Sequence, residues 1–348
     1  MHGFRIDRHG GPEVLEWREL PDPRPREDEA LVRVRACALN HLDLWVRNGV
    51  PGHTYPLPLV PGSEIAGDVV EVGECVRGFT AGDPVLIAPG VSCGVCPRCL
   101  AGEDPLCREY GILGETRDGG YAELIAVPGR NLLPLPKGLS PVEAASLPLA
   151  FLTAWHMLVG RARLQPLEDV LVHAAGSGVS SAAIQVARLL GARTIIATAS
   201  SAAKLERARE LGATHTVNYA DADFVRATKA ATGGKGADVV IDHVGGEVFE
   251  RSLKALAWGG RIVLCGATAS GEATVNLRAV FFKSLSILGS TMGSLGELKA
   301  LLRHVEEGRL RPVVDRTYPL DAVVEATRYV ESWQKTGNVV LTLNGAPR

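Results

Sequence analysis

Four cysteines carry the most explicit chemistry in the chain. In Cys93-x2-Cys96-x2-Cys99-x7-Cys107 four thiols are brought together over a short stretch. Thiolates at this spacing close a tetrahedron around zinc and leave no coordination position for a substrate, so such a site is structural. Gly94, Pro97 and Gly102 supply the turns that a lobe spanning about residues 90–110 needs. Of the 7 cysteines, the remaining three (Cys37, Cys75 and Cys265) are scattered. An odd total with one tight cluster favours metal and reduced thiols over a disulfide framework. One structural Zn2+ per chain is the expectation.

A second chemistry is written into residues 169–191. Val170 to Val172 form a short apolar run suited to a strand buried on both faces. The small residues Ala174 to Ser181 follow, with Gly176, Ser177, Gly178, Val179 and Ser180 at the turn itself. Apolar residues then recur at helical spacing (Ile184, Val186, Ala187, Leu190) up to Gly191. A strand, a small-residue turn and a helix aim free N–H groups and a helix dipole at a pyrophosphate. Ser181 stands where the third glycine of G-x-G-x-x-G belongs, so the surrounding βαβ rhythm carries the reading. NAD-specific sheets end their second strand on a carboxylate that holds the ribose diol. Here that strand leads into Ser200, Ser201 and Lys204, which offer hydroxyl donors and a positive charge to a 2′-phosphate. NADPH rather than NADH is therefore expected. Either serine also suits the N-cap of the helix containing Lys204.

The elements that must position these groups follow from hydrophobic pattern. Strands at 193–198, 237–242, 260–266 and 285–290 alternate with helical segments, as in a doubly wound parallel sheet. The part before about Val127 is β-rich and punctuated by glycine and proline: 30–36 alternates cleanly, while 64–73 and 83–88 add short strands. Ser140-Pro-Val-Glu143 has capping-box spacing, which predicts a helix running towards Leu158 with a kink at Pro148. An amphipathic helix is expected over 295–307 and a last strand over 339–343 that returns to the first part. The fold class is thus α/β, a β-rich block joined to a doubly wound parallel sheet. At 348 residues two domains are comfortable. A formal charge of -2 gives no footprint for nucleic acid, and neither a membrane-spanning run nor a signal-peptide core is present. The expectation is a soluble, cytoplasmic protein acting on a small molecule, with no nucleic-acid or membrane partner.

Several segments, in order along nearly the whole length, carry a resemblance: Pro61-Gly-Ser-Glu-Ile-Ala-Gly67, Gly78-Phe-Thr-Ala-Gly-Asp-Pro-Val85, Asp118-Gly-Gly-Tyr-Ala-Glu123, the turn at 174–181 and Gly337-Asn-Val-Val-Leu341. With these the chain resembles the medium-chain dehydrogenase/reductase superfamily, the zinc alcohol dehydrogenases and quinone oxidoreductases. The resemblance implies a GroES-like catalytic domain at 1–150 and 291–348, a Rossmann coenzyme domain at 151–290, and a structural zinc on the four cysteines. Zinc-dependent members hold a catalytic metal at positions that here read Asn40, Ser63 and, near the third, Leu149. An amide, a hydroxyl and an alkyl group do not assemble the donors that catalytic zinc prefers. That departure implies the zinc-free branch, NADPH-dependent reductases of quinones or activated C=C bonds (enone, enal or enoyl).

The resemblance also assigns roles. Asn40, Asp43, Ser63 and Thr153 face the reacting centre in relatives. Tyr55 and Trp45 are candidate pocket walls, with Tyr55 the candidate proton donor. His41 follows the lost cysteine at a position that touches the cofactor pyrophosphate, and Tyr219 stands where relatives meet the 2′-phosphate. Val244, Gly266, Ala267, Gly289 and Ser290 lie at carboxyl ends of strands, where ligands of this sheet type bind. Asn338 occupies a position where relatives often carry lysine or arginine. Two alternatives stay open: an alcohol or aldehyde dehydrogenase with an atypical metal site built on His41, Asp43 and Glu64, or a non-enzymatic NADPH-binding protein. Relatives pair the strand at 284–289 edge to edge, which implies a homodimer or homotetramer.

Overall fold

A computed structural model describes residues 1–343 and divides the chain into two compact units, Met1–Leu149 with Ser294–Arg348, and Ala150–Gly293.

The first unit opens with a hairpin of β1 (His2–Arg5) and β2 (Glu16–Glu19). Its main sheet is built on β3 (Glu29–Leu39), a long strand whose alternating apolar residues are buried. Next to it runs β4 (Glu64–Val72), with β5 (Pro84–Ile87) on the far side of β4, after helix α1 (His41–Asn48) has followed β3. The cysteine lobe follows, framed by β6 (Gly90–Val91), the one-turn α2 (Pro97–Leu100) and β7 (Gly111–Ile112). Strand β8 (Leu124–Pro128) pairs with β3, and β9 (Leu132–Pro134) with β5. The core of this unit gathers Val32, Val34, Ile65, Val85, Tyr121 and Val339 around the sheet.

The helix expected from Ser140 to Leu158 is two helices, α3 (Pro141–Ala144) and α4 (Ala150–Trp155), with a π-helical turn after the second. The capping box is present, with Ser140 accepting from the Glu143 amide and Glu143 from the Ser140 amide. Continuity fails because Pro148 has no amide to donate, and the Leu149 amide turns sideways to the Glu64 carboxylate at 2.6 Å.

The second unit is a parallel sheet of β10 (Asp169–Val172), β11 (Thr194–Ala199), β12 (His215–Asn218), β13 (Ala237–Asp242), β14 (Leu256–Leu264) and β15 (Ser286–Gly289). The spatial order is β12-β11-β10-β13-β14-β15. This is the doubly wound order of the Rossmann fold, and its topological switch point lies between β10 and β13. The crossovers are α5 (Gly178–Leu189), α6 (Ala202–Leu211), α7 (Phe224–Ala231), α8 (Gly246–Ala255) and the short α9 (Leu277–Phe282). At its amino end the central strand is fixed by ions: the buried Asp169 carboxylate accepts from Arg193 through both oxygens and meets Lys235 at 3.1 Å.

The chain then returns to the first unit through α10 (Leu295–Glu306), β16 (Val314–Pro319), α11 (Val323–Glu331) and β17 (Asn338–Thr342). Strand β17 pairs antiparallel with β3, Val339 opposite Leu39. Among the described residues no helix is long and apolar enough to cross a membrane.

Candidate functional site

In the cysteine lobe the thiols of Cys93, Cys96, Cys99 and Cys107 lie within 4.8 Å of one another. Three sulfur pairs are 3.5, 3.6 and 3.8 Å apart. A zinc tetrahedron with bonds of about 2.3 Å has edges of about 3.8 Å, so the four sulfurs fit that ion. The Cys96 amide points at the Cys93 sulfur (3.3 Å) and the Glu109 amide at the Cys107 sulfur (3.4 Å), donors that stabilise thiolates. This is the one set of three or more His, Cys, Asp or Glu side chains with ligand geometry among the described residues.

A polar cluster in the first unit gathers three of the expected residues at the start of α1. Asn40 is the N-cap, and its own amide donates to Asp43 Oδ2 at 2.7 Å. The other oxygen of Asp43 accepts from the Gly62 amide at 3.1 Å. Burial pushes the Asp43 carboxyl up to about 6 even with those donors. The Asn40 side chain donates to Glu64 Oε2 at 2.9 Å, and Glu64 is wholly buried. Ser63, between Gly62 and Glu64, is also wholly buried, and its hydroxyl has no hydrogen-bond partner. Glu64 organises this cluster by linking Asn40 to Leu149; its side-chain role is not visible in any local spacing. The sequence marks only its place in Gly62-Ser63-Glu64.

His41 packs edge-on against Trp45 and lies 5.3 Å, centroid to centroid, from Trp333. Burial first, then the Lys335 charge, pushes His41 down to about 4, so it is neutral near pH 7. Tyr55 is buried against the rings of His53 and His9. Asn338 is 3% exposed, and its amide donates to the Ser146 carbonyl at 2.9 Å; that side chain is committed inside the first unit.

The second unit holds the other expected residues. Thr153 is buried in α4 with its hydroxyl 4.0 Å from Met292 Sδ. Ser177 is the N-cap of α5 and accepts from the Ser180 amide at 3.0 Å, while the Ser181 amide donates to the Ser177 carbonyl. The first-turn amides of Gly178 and Val179 have no acceptor within the helix and stand beside Gly176 at the switch point. Two amides and a helix dipole at this place fit the pyrophosphate of a dinucleotide. Ser180, by contrast, is wholly buried and its hydroxyl donates to the His173 carbonyl at 2.6 Å, so its side chain supports the turn from beneath. After β11, Ser200 is exposed and Ser201 occupies the N-cap of α6 without a capping side-chain bond. Lys204 is in the first turn of that helix, and Tyr219 is 50% exposed beyond β12. The Val244 amide donates to Asp242 Oδ1, and Gly266, Ala267, Gly289 and Ser290 stand at the carboxyl ends of β14 and β15.

Sequence reasoning missed two histidines beneath the turn. His173 follows β10 and is buried, bonded to Thr198 (3.1 Å) and Ser252 (2.8 Å). Ser252 donates its proton to the Val248 carbonyl, so His173 Nε2 is the donor to Ser252 and Nδ1 accepts from Thr198. His243 follows β13 and reaches the Ser177 and Ser180 hydroxyls. Burial pushes His173 down to about 3. Its folded pKa is thus below its unfolded one, and the unfolded chain takes up a proton that the native chain refuses. Stability therefore falls as pH drops below about 6.5, by about 1.4 kcal/mol per pH unit from this group. Urea unfolding at pH 7 and pH 5 measures that slope. His173→Gln lowers it by one proton per chain, and a variant with the wild-type slope contradicts the assignment.

Residues 26–137 match the alcohol dehydrogenase GroES-like domain, and residues 178–307 match the zinc-binding dehydrogenase domain. The quinone oxidoreductase of Rattus norvegicus is 30% identical, over 99% of this chain and 98% of its own. The chain belongs to the medium-chain dehydrogenase/reductase superfamily. Like other members of that superfamily, it is an oxidoreductase. A second relative in the superfamily, the acryloyl-coenzyme A reductase of Metallosphaera sedula, is 34% identical over 96% of this chain and 98% of its own. A crystal structure described as an NAD-dependent alcohol dehydrogenase superposes with a TM-score of 0.95 at 53% identity, covering 99% of this chain and all of that one. The doubly wound sheet, the cysteine lobe and the superfamily thus agree, and a solely non-enzymatic role falls away.

Proposed function

We propose that this oxidoreductase is an NADPH-dependent reductase of quinones or of C=C bonds conjugated to a carbonyl, and that it works without catalytic zinc. The observation that carries the reading is the Asn40, Asp43 and Glu64 cluster. Both oxygens of Asp43 accept backbone amides, and those of Glu64 accept the Asn40 side chain and the Leu149 amide. Carboxylates so engaged are poorly placed to ligate a metal, and Asn40 and Ser63 offer an amide and a hydroxyl instead of thiolate and imidazole. When bound, NADPH supplies the hydride. Asn40 is held rigidly by Glu64, and the unpartnered Ser63 hydroxyl is a donor whose burial cost a substrate oxygen would offset. Asp43 fixes the loop on which Ser63 stands through the Gly62 amide, and Thr153 is assigned to the cofactor side. Tyr55 is the assigned proton donor; burial raises its phenol, which keeps the proton on until charge develops nearby. The quinone oxidoreductase and acryloyl-coenzyme A reductase relatives support this substrate class.

The test is continuous NADPH oxidation against a panel of quinones and enones, with zinc counted per chain. Turnover with about one zinc is expected. Alcohol-dependent reduction of NAD+ that needs a second zinc would replace this reading with its rival, which the 53%-identical alcohol dehydrogenase structure favours.

For the cofactor we assign the 2′-phosphate to Ser200, Ser201, Lys204 and Tyr219, and the pyrophosphate to the Gly176–Val179 turn with His41. Val244, Gly266, Ala267, Gly289 and Ser290 line the strand ends. Asn338 is assigned a supporting place through Ser146. Ser200→Asp puts a carboxylate where the diol of NADH binds, and it repels a phosphate. It should weaken NADPH by about tenfold or more and tighten NADH, read by quenching of tryptophan fluorescence. An unchanged ratio removes Ser200 from the site.

The assembly we propose is a homodimer, or a tetramer of such dimers, formed at the β15 edge. Ile287 on β15 and Phe281, Phe282 and Trp258 in the same unit are exposed apolar residues that support it. Ile287→Asp should yield monomers in analytical ultracentrifugation; an unaltered mass shows that the edge is not the interface.

A further inference from the structure

We infer that His243 is a positioning residue for the cofactor pyrophosphate, acting through the serines of the α5 turn. The inference rests on the dinucleotide reading above and adds a residue to it. His243 follows β13 and the turn follows β10, so the two meet at the switch point of the sheet. His243 Nε2 lies 3.0 Å from Ser177 Oγ and 3.0 Å from Ser180 Oγ.

Hydrogen bookkeeping fixes the direction of these bonds. Ser180 gives its one hydroxyl proton to the His173 carbonyl at 2.6 Å. Ser177 Oγ accepts from the Ser180 amide and lies 2.9 Å from Ser180 Oγ, to which it donates. Both hydroxyls then have lone pairs facing the imidazole, and His243 Nε2–H is the donor shared between them. The consequence is positional. With its hydroxyl drawn inward by Ser180 and His243, Ser177 takes up the Ser180 amide as N-cap. Its side chain is then turned away from the two amides, Gly178 and Val179, that meet a phosphate. Without His243 the Ser177 hydroxyl keeps Ser180 as its inward partner but loses the donor that holds both serines together, and the N-cap geometry that presents those amides loosens. His243 itself is 9% exposed and works from beneath the turn.

The test compares His243→Leu, which removes the donor, with His243→Gln, whose amide can reach the same two hydroxyls. Three readouts are needed: affinity for NADPH and NADH by fluorescence titration, affinity for adenosine by saturation-transfer NMR, and melting temperature. Adenosine shares the base and ribose but has no phosphate. His243→Leu should weaken whichever dinucleotide the wild type binds better by about tenfold, and leave adenosine within about twofold. His243→Gln should recover most of the loss. Equal losses for adenosine and dinucleotide, unchanged dinucleotide binding by the leucine variant, or a glutamine variant as weak as leucine each overturn the inference. Should the leucine variant not fold, Ser177→Ala carries the same comparison, with dinucleotide weakened and adenosine retained. A wild type that binds neither dinucleotide defeats the cofactor reading itself, an outcome distinct from all of these.

Discussion

Cys107→Ser should lose zinc and lower the melting temperature by about 10 °C, with new protease cleavage between residues 93 and 107. The reason is that the lobe has almost no apolar interior of its own. Val95 and Leu100 are 77% exposed and Leu106 is 58% exposed. Its helices are α2, a single turn, and a 3-10 turn at Asp104–Leu106, and Cys107 is the only buried member of the thiol set. With so little burial to offset chain entropy, the metal is the core of the lobe, and its binding energy is folding energy of several kcal/mol. A loss of about 4 kcal/mol corresponds to roughly 10 °C in a domain of 150–250 residues. Elemental analysis, a thermal melt and limited proteolysis read the three effects. A serine variant that is free of zinc yet melts like the parent would show the lobe to be self-supporting. A chelator should reproduce the variant on the wild-type chain.

The second large effect lies far from any ligand. Arg47 on α1 is 2% exposed, and its guanidinium is paired with Glu331 at the end of α11. Arg47 Nε also donates to the Gly10 carbonyl, Nε and Nη2 both donate to Asn48 Oδ1, and Nη1 is buried without a partner. Glu331→Ala removes the counter-charge and leaves a cation that water reaches poorly, with only Asn48 and Gly10 as acceptors. The cost is about 3 kcal/mol, the low end for a buried pair because Glu331 is a third exposed. Glu331 itself is a third exposed and rehydrates easily, so Arg47→Met should cost less than Glu331→Ala. The double variant Arg47→Met/Glu331→Leu should regain much of the lost stability, because two apolar side chains carry no desolvation debt. Urea midpoints of the four proteins measure this cycle. A double variant no better than Glu331→Ala alone would mean that the burial of the guanidinium is offset by Gly10 and Asn48, not by Glu331.

The features that were legible in the sequence are those encoded over a few residues. Spacing alone exposed the four-thiol site, and β-branched runs exposed β10, β11 and β13 to within a residue or two. Strands β17 and β3 were each readable from their own apolar pattern, but their register was not, since pairing across about 300 residues leaves no local trace. The same is true of the site. Asn40, Asp43 and Ser63 were found through family motifs, whereas the bond from Glu64 to the Leu149 amide joins positions 85 apart. His173 and His243 follow strands in apolar company, where periodicity says only that they are near the core. Their tautomers and serine partners emerge only when β10 and β13 lie side by side. The single helix expected over 140–158 failed for a related reason. Its propensity was adequate, but a proline and a distant carboxylate redirected the amide that would have continued it.

The Rossmann unit interrupts the first unit in sequence, and this imposes an order of events during synthesis. Strands β16 and β17 are made after all six parallel strands, yet β17 is the neighbour of β3 from Ala36 to Leu39, beyond the Glu29–Arg33 stretch that β8 pairs. On the ribosome, the inserted unit therefore has all its own strands before its host does. At the seam Gly293 approaches Leu152 so closely that a Cβ there would sit 2.6 Å from the leucine side chain, so the entry and exit of the insert adjoin. A nascent chain stalled before residue 338 carries a finished nucleotide module and a β3 unpaired on one side from Ala36 to Leu39, open to holdase chaperones until translation ends.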